Sequence, residues 1–127
     1  MLLQFYKRLL LDGMKDMNKI REAIKNLPGH WYKGHMTDNK GNYCGLGHVA
    51  KAYGFSDDQI DNESFGCDES PLLSDFNLLH EIAGEQYPDR AIDLFTTFTL
   101  FNDHPDTTED EVIALMEKAA VRKDEMS

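Results

Sequence analysis

Apolar positions recur at helical spacing along most of the chain, separated by residues that start or stop helices. Ile20, Ala23, Ile24 and Leu27 fall at i, i+3, i+4 and i+7, and Pro28-Gly29 closes that stripe. Leu46, Val49, Ala50 and Tyr53 form a second stripe, stopped by Gly54. Leu72, Phe76, Leu79 and Ala83 form a third, opened by Ser70-Pro71 as N-cap and first helical residue. After Pro88, the positions Ala91, Leu94, Phe95, Phe98 and Phe101 fit a helix. Ile92, Leu94, Phe98 and Leu100 also alternate as a strand would, with threonines adding β propensity; helix is the preferred reading. Thr108-x-x-Glu111 is a capping box ahead of Val112, Ile113, Met116, Ala119 and Ala120.

One stretch breaks the helical pattern. Trp31 to Gly34 reads as a strand, Asp38-Asn39-Lys40-Gly41 as a turn, and Asn42-Tyr43 as its antiparallel return. Residues 56–70 hold six acidic and no basic side chains, and read as a surface connection with a short turn capped by Ser56. The expected fold is therefore α+β: a mostly helical single domain over residues 1–127, with about five helices and one small β-hairpin. Leu2, Phe5, Tyr6, Leu9 and Leu10 would share one face of a short leader helix over residues 1–16. That leader is dispensable if translation starts at Met14 or Met17. Lys7 and Arg8 interrupt it and no cleavage site follows, so it does not read as a signal peptide.

A length of 127 residues suits one domain with one core, and a 41% hydrophobic share is ordinary for a globular chain. Two cysteines cannot build a disulfide scaffold, which points to a reducing, cytoplasmic setting. No apolar run is long enough to span a bilayer. The net charge of −10 is unevenly spread. Residues 1–55 carry nine Lys/Arg against four Asp/Glu, a balance of +5, whereas residues 56–127 carry four against nineteen, a balance of −15. Such an acidic second half repels nucleic acid and favours a protein with a basic surface.

Reactive side chains concentrate between His30 and Ala50. Cys44 precedes a helix, where free amides and the helix dipole lower a thiol pKa, and His48 lies one turn on as a base. With Asn102, Asp103 or His104 from a second element, Cys44 and His48 would complete a Cys-His-Asp arrangement. Against this, a free cysteine is commonly a buried small hydrophobe. Cys44 and His48 could also share a metal with His30, His35 or Cys67, but there is no C-x-x-C pair and no H-E-x-x-H, so neither metal nor cofactor is expected. Trp31, Lys33, His35 and Tyr43, with Lys40 and Lys51, offer stacking faces and positive charge to a small anion or nucleotide. Trp31 and Tyr43 would equally serve as a cross-strand pair.

The pattern Trp31-x-x-Gly34, Asp38-x-x-Gly41, Cys44-x-x-Gly47 and a later Asn102-Asp103 before a capped helix resembles a family of small uncharacterised proteins of bacteria and their phages. The helix that follows it runs through Val112 to Ala119. The resemblance spans residues 18–120 and departs at Lys51, where the pattern has alanine, and at Phe101, where it has tryptophan. It implies a fold neighbourhood and no activity. The leading expectation is a non-enzymatic acidic accessory protein, a phage-like inhibitor or regulator, binding its partner through Asp57, Asp58, Asp61 and Glu63. A thiol enzyme using Cys44 and an anion binder at the hairpin are the alternatives.

Overall fold

A computed structural model describes residues 18–65, 71–91 and 97–126. Six helices account for 63% of these residues. They are α1 (Lys19–Asn26), α2 (Gly45–Ala52), α3 (Asp57–Asp61), α4 (Pro71–Gln86), α5 (Thr97–Asp103) and α6 (Glu109–Met126). The leader at residues 1–16, both alternative start methionines, Cys67, Asp68, Glu69, the Ser70 cap and the apolar residues Ile92, Leu94 and Phe95 lie outside the described residues.

Most helix starts follow local chemistry. Asn18 caps α1 by accepting from the Arg21 amide at 3.2 Å. Ser56 and Gln59 form a reciprocal capping box on α3. Thr108 and Glu111 do the same on α6, at 3.3 and 3.0 Å. The apolar stripes face one core. Ile20, Leu27, Val49, Ile60, Leu79, Ile82, Phe98, Phe101, Val112 and Met116 are fully buried in it. The α2 helix is central: it packs on α1, α3, α4 and α5, while α6 lies across α1 and α4. Of the segment that fitted both a helix and a strand, Thr97–Asp103 is helical.

The expected hairpin is not formed, and no strand or sheet occurs among the described residues, so the α+β reading is replaced by an all-helical one. What stands in its place is a loop wrapped around Tyr43. Trp31 makes an isolated parallel bridge to Tyr43, and Thr37 makes an isolated antiparallel bridge to the same residue. The Tyr32 amide donates to the Tyr43 carbonyl (3.0 Å), the Tyr43 amide to the His30 carbonyl (2.9 Å) and the Cys44 amide to the Met36 carbonyl (3.0 Å). The physical reason lies in Gly34, which at φ +100° turns the chain back where a strand would have to stay extended. Asp38 then folds the tip, its Oδ1 accepting from the Lys40 and Asn42 amides, with Gly41 at φ +89°.

Candidate functional site

The loop is fastened by the end of α5, 71 residues further along the chain. Asn102 is buried and uses its whole amide. Its Oδ1 accepts from the Trp31 indole (2.7 Å) and the Gly45 amide (3.2 Å), and its Nδ2 donates to the Tyr32 carbonyl (3.1 Å) and Asp103 Oδ1 (2.9 Å). Asp103 Oδ1 also accepts from the Gly34 amide at 2.9 Å, and Lys33 Nζ donates to the His104 carbonyl at 2.7 Å. The tryptophan-glycine element and the asparagine-aspartate element are thus bonded directly to each other.

Cys44 occupies the joint between loop and helix. It is the N-cap of α2, its Sγ accepting from the Gly47 amide at 3.3 Å. Close packing dictates the glycines after it. A Cβ on Gly47 would stand 2.2 Å from the Met36 carbonyl oxygen, and one on Gly45 would stand 2.5 Å from the Phe98 ring. Burial pushes the Cys44 thiol up to about 12, outweighing the amide hydrogen bond that lowers it. That is the opposite of an activated thiolate. His48 turns elsewhere: it is buried, its Nε2 lies 2.9 Å from the His30 carbonyl as donor, and its ring meets Tyr43 edge-on at 5.1 Å. Burial holds its pKa below the ordinary histidine value, so it is a neutral packing residue. Cys44 and Asp103 are brought to the same cleft; His48 does not line it.

The residues expected to bind an anion are dispersed. Trp31 is tied to Asn102 with Lys33 over its ring at 5.1 Å, and Tyr43 is buried with its hydroxyl donating to Asp57 at 2.6 Å. Only His35 of that set borders the cleft. Lys51 pairs with Asp57 at 3.1 Å, so Asp57 is engaged rather than offered to a partner. Among the described residues no group of three or more His, Cys, Asp or Glu side chains is arranged to hold a metal ion.

The cleft itself measures about 260 Å³ and opens between the loop, α3 and α5. Asp61, Glu63 and Asp103 line it, with Cys44 and Asn102 in its wall. No salt bridge joins these three carboxylates to a basic side chain among the described residues. Glu63 sits at φ +52°, in the left-handed position just past α3 that glycine usually takes. Sequence reading missed Thr99 and Met36 in the cleft wall, which have no motif to mark them. It also missed the buried Asp75, which bonds Lys123 (2.9 Å) and the Tyr53 hydroxyl (2.6 Å). A charge at position 75, on the apolar stripe of Leu72, Phe76 and Leu79, was the available signal.

Fold and site together describe a small helical domain with an acid-lined cleft where two distant chain elements meet. The chain belongs to the family of unknown function DUF6197, whose family model matches residues 17–122. No curated protein and no solved structure matches it. None of the described helices is long and apolar enough to cross a membrane.

Proposed function

We propose that this protein is a non-enzymatic binding module that takes a basic group of a partner protein into its acidic cleft. One observation carries the reading: Asp61 and Glu63, from the acidic segment 56–70, and Asp103, from the end of α5, line a single opening without a neutralising cation among the described residues. Three carboxylates without an ion-pair partner among the described residues, around one concave opening, favour a lysine or arginine side chain over any anion. The left-handed backbone at Glu63 supports the same reading, because a carboxylate is kept where glycine would be more comfortable. An accessory regulator or inhibitor of bacterial or phage origin, acting in the cytoplasm, is the biological form this proposal takes.

The test uses ¹⁵N-labelled protein titrated with a lysine-rich peptide. Amide shifts centred on residues 61–63 and 103, abolished in D61K/E63K and weakened by salt, are the expected result. Shifts confined to the Glu109–Glu111 turn, or none, overturn the reading. Glu63→Gly should raise folding stability by about 0.5–1 kcal/mol through relief of the left-handed backbone while weakening peptide binding, so stability and binding separate in one variant.

A further inference from the structure

A half-buried histidine outside the cleft caps the helix that forms one side of it. The first amides of an α-helix have no partner inside the helix and are normally satisfied by the residue just before it. In α5 the amide of Phe98 donates to Nδ1 of His80, on α4, at 2.9 Å. A backbone amide can only donate, so Nδ1 carries the lone pair and the ring proton sits on Nε2. One turn beyond Phe98 is Asn102, the residue that holds Trp31, Tyr32 and Gly45.

We propose that His80 is a proton-sensitive cap on α5: the neutral imidazole holds the first turn of the helix, and protonation releases that turn and slackens the Asn102–Asp103 end that fastens the loop. Protonated, His80 would present an N–H to the Phe98 N–H, two donors face to face, and the amide would lose that acceptor. Burial alone holds the imidazole below its ordinary value. Among the described residues, these charged groups of the surrounding elements are engaged elsewhere. On α4, Asp75 pairs with Lys123, and Glu81 and Glu85 pair with Arg122, both partners lying on α6. On α5, Asp103 lies at the opposite end and accepts from Gly34. On α2, Lys51 pairs with Asp57, and His48 is neutral against the His30 carbonyl. The sign follows. The unfolded chain takes up this proton near pH 6.5, the folded chain at lower pH. The contribution of His80 to stability is whole above that value and is lost as pH falls through the folded value.

Two readouts on the full chain decide it. In ¹H–¹⁵N spectra from pH 7.5 to 5, the Phe98 amide and the His80 ring should titrate together, with a midpoint below 6.5. The emission of Trp31, the single tryptophan, should follow the same midpoint and lose that transition in His80→Asn, whose side-chain oxygen replaces Nδ1 as an acceptor that does not titrate. A Phe98 amide that stays flat while the ring titrates overturns the proposal, as does a Trp31 transition unchanged in H80N. If acid unfolds the chain first, wild type should unfold at higher pH than H80N, and equal midpoints count against the idea. Should H80N fail to fold, the wild-type Phe98 titration decides alone. Because none of these readouts involves a basic peptide, the result is independent of what the cleft binds.

Discussion

Asn102 ties the loop to α5 and to the start of α2 through its side-chain amide. Truncating Asn102 to alanine leaves the Trp31 indole and the buried Gly45 amide without their acceptor. An unsatisfied buried donor costs about 1–3 kcal/mol. We therefore expect Asn102→Ala to lower unfolding free energy by about 2–4 kcal/mol in urea, with a shifted Trp31 emission spectrum. A variant within 0.5 kcal/mol of wild type, roughly the scatter of a neutral surface change, would contradict that account. Cys44 gives a second test. With its thiol pushed up to about 12 by burial, Cys44 stays protonated at pH 7. Iodoacetamide should leave Cys44 unlabelled for hours and modify it only in denaturant, read by peptide mass spectrometry so that Cys67 is scored apart. Rapid labelling of Cys44 in the folded chain would restore the thiol-enzyme alternative.

At the scale of elements, the local caps were legible and the loop was not. Thr108-Glu111 and Ser56-Gln59 satisfy amides within three residues of themselves, so spacing alone reveals them. Trp31 to Tyr43 has the aromatic and turn residues of a hairpin, but its shape is set by the left-handed Gly34 and by bonds to Asn102 and Asp103. No local pattern records a partner some 70 residues away, and the His80 cap on α5 was hidden for the same reason. The glycines that look like softeners in the sequence are contact points. Gly47→Ala forces the Met36 carbonyl and α2 apart and should cost at least about 2 kcal/mol, since a packed backbone cannot yield as a flexible side chain can. Thr108→Ala, losing only a surface cap, should cost about 1 kcal/mol. Chemical denaturation of the pair checks the ranking; reversed costs would mean that the loop and α2 are not held as described.

Over the whole molecule, the acidic excess read from composition resolves into groups with different jobs. Asp57, Asp75, Glu111 and Asp124 are tied to Lys51, Lys123, Arg90 and Arg21, whereas no salt bridge joins the cleft carboxylates to a basic side chain among the described residues. Sequence totals show that excess but cannot sort it, because pairing depends on distances that only the fold sets. The last turns of α6 matter for this reason. Deleting residues 123–127 strands the buried Asp75 without Lys123 and removes Asp124 from Asn18 and Arg21. A loss of about 3 kcal/mol or more is expected by thermal or urea unfolding, larger than the exposed tip of a helix would suggest. The bond between Trp31 and Asn102 also has a consequence in time. Caps and neighbouring helices close short loops, but this contact joins residues 71 apart and must wait for the chain between them to collapse. The lone tryptophan is therefore a clock for a long-range stage of folding, and in a stopped-flow refolding trace its signal should lag the helical ellipticity.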